Sequence, residues 1–184
     1  MARLSLATRK IVAPAVREAF PADLNDMVAT KLWDNPCWLS FRANYIAHHF
    51  NQPIYQMIWR DYRLTQPEHV VLYALGLREG VTAEDIVASS SRPKNTLSRA
   101  VNSLLRKKLI RREQSANDRR RYHLFLSPSG RAIIDASVPE LVAREQMMAS
   151  VLTKQEQATL SGLMTKIILN AGQWPAEVNR GDRK

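Results

Sequence analysis

The sequence predicts a mainly α protein carrying one small β-hairpin, and three observations support this. Apolar residues recur at three- and four-residue spacing in a series of stretches between Leu39 and Ile168. The period drops to two only between Leu109 and Leu126. Capping side chains and prolines stand just ahead of most of the helical stretches, where a helix start needs them.

Residues 1–33 form a poorly marked N-terminal extension. Ser5 to Phe20 has some helical periodicity, interrupted by Pro14, and no function is assigned to it. Asp34-Asn35-Pro36 reads as a helix start, and Leu39, Ala43, Ile46, Ala47, Phe50, Ile54, Met57 and Ile58 then give a long helix whose stripe must be buried, with Pro53 as a kink. Thr65-Gln-Pro-Glu68 is a capping box opening a helix to about Leu77, which Gly80 is expected to end. Thr82-Ala-Glu-Asp85 starts a short helix to about Ser89. After a polar turn, Pro93 begins another, with Leu97, Val101, Leu104 and Leu105 inward and Lys94, Asn95, Ser98, Arg99 and Asn102 outward.

This pair reads as a helix–turn–helix with a polar, basic second helix. Leu109 to Arg112 and Tyr122 to Leu126 follow as two strands, joined by a tip carrying Asp118, Arg119 and Arg120, so that a basic β-wing adjoins the helix. Ser127-Pro-Ser-Gly130 then caps a helix to about Val151 that Pro139 is expected to bend. Thr153 and Glu156 cap the last helix, with a stripe of Leu160, Leu163, Met164, Ile167 and Ile168, ending near Gly172.

The charge is not spread evenly. The chain has 27 Lys+Arg against 17 Asp+Glu, a formal net charge of +10. Between Arg92 and Arg121 lie eleven basic residues and two acids, so nearly the whole excess sits in one short segment. Such a concentration is the footprint of an element that binds a polyanion. Asn95, Thr96, Ser98 and Asn102 among the cations suit nucleic acid better than a membrane surface, which would want an apolar insertion face beside them.

Other classes are set aside by what is missing. One cysteine, Cys37, and four scattered histidines make neither a disulfide framework nor a zinc finger. No phosphate-binding glycine loop, nucleophile elbow or His-Glu-x-x-His stands in the chain, so no enzyme activity, no cofactor and no metal site are expected. Without a secretory or membrane-spanning apolar run, a soluble, cytoplasmic protein is expected. Cys37 beside Trp38 reads as packing or as an oxidant sensor.

Order and motifs together resemble the MarR family of winged helix–turn–helix regulators over roughly residues 36 to 172. The most specific stretch is Asp118-Arg-Arg120-Arg-Tyr-His-Leu124-Phe-Leu126-Ser127-Pro-Ser-Gly130, similar to the family's wing signature, with Ser127 in place of Thr. Leu97-Ser98-Arg99, Val101 and Leu104, followed by Lys107-Lys108-Leu109-Ile110, resemble the end of its recognition helix. There the family usually has Gly, and Lys108 must avoid or tolerate a left-handed backbone.

The resemblance implies a homodimeric transcriptional regulator, most often a repressor, in which N- and C-terminal helices of two chains intertwine and two lobes read a pseudo-palindromic operator in double-stranded DNA. Carried onto this sequence, it places Pro93 to Arg106 in the major groove, with Arg92, Pro93, Lys94, Asn95, Thr96, Ser98, Arg99 and Asn102 as DNA-binding residues. Arg119, Arg120 and Arg121 bind DNA from the wing, and Asp118 is structural, orienting a neighbouring Arg. The organisation becomes an extension (1–33), a dimerisation helix and connector (34–64), a winged lobe (65–127), dimerisation helices (128–172) and a tail (173–184). The rival readings are a non-specific architectural DNA-binding protein and a winged-helix protein–protein module.

One further constellation stands on the first long helix. Trp38, Arg42, Tyr45 and His49 share a face, and aromatic walls with one guanidinium and one imidazole suit a small aromatic carboxylate. A dimer interface whose polar groups satisfy each other suits the same face. Relatives that bind hydroxybenzoate- or hydroxynicotinate-like acids favour an effector site there, with His69 and Tyr73 on the opposite wall.

Overall fold

A computed structural model describes residues 25–175 apart from 91, 116, 117 and 119. Ser5–Phe20, Arg119 and the tail from Asn179 lie outside the described residues. The described chain divides into two compact units, the first ending at Ser137 and the second beginning at Val138.

In the first unit, α1 (Asp26–Leu32) occupies part of the segment to which the sequence assigned no element. Seven residues are too few to show a period, but its ends are marked: Asn25 Oδ1 accepts the Met27 N–H at 2.9 Å, Asp26 opens the helix and Lys31 closes it. Then α2 (Trp38–Tyr62) starts later than Asp34-Asn35-Pro36 suggests. Asn35 does cap an amide, that of Cys37 at 2.9 Å, but in the turn ahead of the helix. Pro53 lies inside α2, which runs on to Arg63, whose left-handed backbone (φ 52°) ends it. Only the C-terminal half of its stripe is covered: Ile54 and Ile58 are buried, whereas Leu39 and Ile46 are 46 % and 57 % exposed.

At the head of α3 (Gln66–Leu77), the Glu68 carboxylate accepts both the amide and the hydroxyl of Thr65, as the capping box predicts. Its end differs from the expectation. Arg78 is already extended, and Gly80 (φ 74°) instead turns the chain so that its N–H reaches the Leu124 carbonyl at 2.9 Å. Asp85 and Thr82 cap α4 (Ala83–Ser90) in the same reciprocal manner, and α5 (Lys94–Arg106) follows Pro93. Leu97, Val101 and Leu104 of α5 are buried against Val71, Leu72 and Leu75 of α3 and Ile86 of α4, giving the lobe one apolar centre.

Strands β1 (Ile110–Gln114) and β2 (Tyr122–Leu126) pair antiparallel, Ile110 opposite Leu126 and Gln114 opposite Tyr122. Period two puts Ile110, Leu124 and Leu126 on the buried face. Ser127 Oγ accepts the Gly130 N–H at the head of α6 (Pro128–Ala149), which runs through Pro139.

In the second unit, Gln157 Nε2 donates to the carbonyls of Ala149 and Leu152, both at 3.0 Å, and fixes the turn into α7 (Lys154–Asn170). The capping box of Thr153 and Glu156 forms as predicted. No residue of α7 is buried, and Gly172 falls in a short 3₁₀ turn beyond it (Ala171–Gln173).

Candidate nucleic-acid interface

The face begins with how α5 ends. Leu109 N–H reaches back to the Leu104 carbonyl and Lys108 N–H to that of Leu105, both at 3.0 Å, which is a Schellman motif. Such a motif needs a left-handed residue at its corner, and Lys108 takes it with φ 56°. Lys108 thus tolerates a conformation that glycine takes without strain, and two residues later the chain enters the wing.

Along α5 the side chains of Lys94, Asn95, Arg99 and Asn102 are exposed together, and Pro93 is the N-cap. Arg92, Thr96 and Ser98 are half-buried, so Ser98 is less outward than its place in the pattern suggests. In the wing, Asp118 Oδ1 accepts the backbone N–H of Arg120 at 2.9 Å, and its carbonyl accepts that of Arg121 at 3.0 Å. The carboxylate shapes the loop through the backbone of Arg120.

Between α5 and the wing lies a cleft of about 490 Å³ lined by Asn102, Arg112, Arg120, Arg121 and Tyr122, with Val101, Leu105 and Leu124 among its apolar walls. Arg112 and Tyr122 were not among the predicted site residues. Parity carries the signal: Arg112 and Gln114 alternate with Ile110, as Tyr122 does with Leu124, so both continue the inner face beyond the core. The Arg112 guanidinium lies 4.7 Å from the Tyr122 ring centroid, and that of Arg111 4.5 Å from Phe125. At the neighbouring helix start, the Thr82 amide and hydroxyl hold the Asp85 carboxyl below its usual range, with the charges of Arg121 and Arg78 adding to this.

The predicted effector residues form local groups. Arg42 donates Nε–H to the Leu32 carbonyl at 2.8 Å and stands 5.4 Å and 5.1 Å from the rings of Trp33 and Trp38, latching α1 to α2. Tyr45 and His49 stack at 4.1 Å. His69 is 4 % exposed, with Tyr55 and Tyr73 each 6.0 Å away, so its aromatic neighbour on α2 is Tyr55, which the predicted set lacks. Burial pushes the His69 imidazole down to about 4, and its Nε2 has no hydrogen-bond partner among the described residues. Next to Tyr55 a groove of about 630 Å³ runs between α2 and the approach to α5; Asn51, His48, Trp59 and Arg92 are among its walls.

Helix, turn, basic helix and wing, with exposed amides and cations on one side, define a DNA-binding winged helix–turn–helix regulator of transcription. Residues 64–121 match the sequence model of the MarR family. Transcriptional regulator HosA of Escherichia coli is 25 % identical over 105 residues, covering 57 % of this chain and 78 % of that protein. The putative transcriptional regulatory protein for the hcr operon of Thauera aromatica is 26 % identical over 108 residues, 59 % of this chain and 65 % of its own.

Among solved structures, a MarR-family transcriptional regulator from Silicibacter pomeroyi superposes with a TM-score of 0.66 at 23 % identity, covering 78 % of this chain and 92 % of that one, which is a likeness of fold. MepR of S. aureus, in a structure with DNA, superposes at 0.62 with 28 % identity, over 71 % of this chain and 96 % of MepR. Among the described residues no helix is long and apolar enough to cross a membrane.

Proposed function

We propose that the protein is a dimeric, operator-specific repressor whose α5 enters the major groove while the wing holds the flanking backbone. The observation that carries this reading is the shared exposure of Lys94, Asn95, Arg99 and Asn102 on α5, beside a cleft that Asn102 lines together with Arg112, Arg120 and Arg121 of the wing. Amide and guanidinium groups on a helix read base edges, and the wing arginines beside it pair with backbone phosphates. Selection of duplexes from a random pool by the purified protein tests the reading. A half-site repeat about 34 Å apart is expected. If the two lobes neutralise on the order of 8 phosphates, log K falls with log salt at a slope near −7. A protein that selects no sequence is an architectural binder, and one with flat salt dependence is not a DNA-binding protein.

The dimer is supported by the apolar surface that one chain leaves open. Leu160, Leu163, Met164, Ile167 and Ile168 are 36–65 % exposed on α7, and the first half of α2 leaves Leu39 and Ile46 open as well. Truncation after Ser150 should give a monomer or an aggregate with little DNA affinity, measured by sedimentation.

For release from DNA, the reading is an aromatic carboxylate effector. The groove beside Tyr55 supports it, because Tyr55 and Trp59 supply aromatic walls, Arg92 a guanidinium and His48 an imidazole. These are the same kinds of group as at Trp38, Arg42, Tyr45 and His49, on a later stretch of the same helix.

A further inference from the structure

Among the basic residues between Arg92 and Arg121, Lys107 is paired with a buried carboxylate. Lys107, the C-cap of α5, places its Nζ 2.8 Å from Glu68 Oε1 and 3.1 Å from the carbonyl oxygen of Arg63. Glu68 is 3 % exposed, and its second oxygen is occupied by the amide and hydroxyl of Thr65 at 2.7 Å and 3.0 Å. Arg63 is the left-handed residue that ends α2. A single ammonium thus ties the end of α5 to the corner at which α2 passes into α3. Burial by itself would raise the Glu68 carboxyl, but hydrogen bonds from Lys107, Thr65 and Ser103 outweigh it and hold the group below its ordinary range. The Glu68 side chain therefore meets the Lys107 ammonium as a carboxylate.

The position of this tie gives it a consequence for DNA reading. Lys107 sits between the helix and the Schellman corner at Lys108, and the wing begins at Ile110, so the helix axis and the root of the wing share one anchor. Base-edge hydrogen bonds are directional and fail when a helix slides or turns by a fraction of an ångström, whereas an ion pair with a phosphate tolerates such a shift. We propose that Lys107 is a positioning residue for base recognition: held by Glu68 and the Arg63 carbonyl, it fixes the orientation of α5 without itself touching DNA. The proposal rests on the operator-binding reading above, and it separates Lys107 from its basic neighbours in a way that can be measured.

The experiment titrates wild type, Lys107→Met, Lys107→Arg and Glu68→Gln against two duplexes of equal length, one selected from a random pool by the wild-type protein and one scrambled, over a series of salt concentrations. Lys107→Met and Glu68→Gln should lose roughly tenfold or more on the selected duplex, the size of one lost base contact, and less than about twofold on the scrambled one, with the salt slope unchanged. Lys107→Arg should keep wild-type discrimination, because a guanidinium reaches both acceptors. Equal loss on both duplexes with a slope shallower by about one would make Lys107 a phosphate contact and overturn the proposal. Unchanged affinity in Lys107→Met would overturn it as well. Should Lys107→Met fail to melt cooperatively, Glu68→Gln decides by the same criteria. A wild type that treats both duplexes alike removes the operator-binding reading, and the proposal with it, before any variant is compared.

Discussion

Gly130 lies directly over the carbonyl oxygen of Leu109, and a β-carbon at that position would overlap the oxygen outright. The same carbonyl accepts the Ser127 N–H at 3.0 Å, so the strand leaving the wing and the start of α6 close together on the residue that follows the Schellman corner. The glycine twelve places after Asp118 in the wing signature is therefore a packing requirement, with Ser127 Oγ capping its amide. Gly130→Ala should destabilise by about 2 kcal/mol or more, because the clash is with backbone that cannot move aside. Denaturant unfolding measures it, and a loss below about half a kilocalorie would mean that the wing root is far more pliant than the geometry implies.

Lys108 offers the opposite case. A left-handed backbone strains any side chain with a β-carbon by roughly 1–2 kcal/mol, partly offset because glycine adds entropy to the unfolded chain. At φ 56°, Lys108→Gly should raise stability by about 0.5–1 kcal/mol. The unfolding midpoint should rise with an unchanged denaturant slope. A variant that falls in stability would show that the lysine side chain makes a contact worth more than the strain.

These two positions show how much of the protein was legible. Helices opened by reciprocal capping, at Thr65, Thr82 and Thr153, were read from spacing because one residue pair satisfies several amides locally. The wing was read because period two cannot be mistaken for 3.6 in a stretch with one buried face. What escaped was set by contacts distant in sequence. Gly80 looked like a helix terminator, but its conformation serves pairing with Leu124. Lys107 looked like one cation among eleven, and only a fold that brings Glu68 beneath it makes it structural. Arg112 could have been assigned to the cleft from its parity with Ile110, but its place beside Asn102 depends on how the strand crosses α5.

His69 gives the protein a pH dependence of predictable sign. Burial lowers its native pKa to about 4 from 6.5, so between these values the unfolded chain binds a proton that the native one does not. Stability therefore rises with pH through this window and is lost as pH falls from 6.5 towards 4, by on the order of 3 kcal/mol in all. Glu68, whose carboxyl is held low, adds its own loss only at the acid end, below its ordinary 4.5. The interval from pH 5 to 6.5 thus belongs to His69. His69→Phe should flatten the stability profile there, and a slope unchanged by the substitution would place its origin elsewhere.

In the wing, Asp118 and Arg120 should separate by kind of variant. Arg120→Ala should weaken binding to a selected duplex by roughly 1–3 kcal/mol while the protein stays folded. Asp118 acts by accepting the Arg120 amide, so Asp118→Asn, which keeps an acceptor, should bind as wild type, whereas Asp118→Ala should lose affinity as the loop opens. Equal losses in the two Asp118 variants would mean that the negative charge matters, and that it orients a guanidinium after all.

The effector reading turns on which arginine receives the carboxylate. Arg42 has its Nε on the Leu32 carbonyl and two indoles around it, so Arg42→Ala should lower stability by about 1–2 kcal/mol through loss of the α1 latch. Arg92 stands at the groove of Tyr55 and Trp59, just before the helix that reads DNA. A carboxylate bound there would engage a guanidinium next to the recognition helix, and by favouring that arrangement over the DNA-bound one it would shift the equilibrium only by its difference in affinity for the two. Calorimetric titration of the DNA-free protein with hydroxybenzoates and hydroxynicotinates keeps ligand binding apart from operator binding. Arg92→Ala should abolish the heat of binding and Arg42→Ala should retain it. The reverse pattern would return the site to the Trp38 face. No binding by wild type to any acid of the panel would remove the aromatic effector from the mechanism.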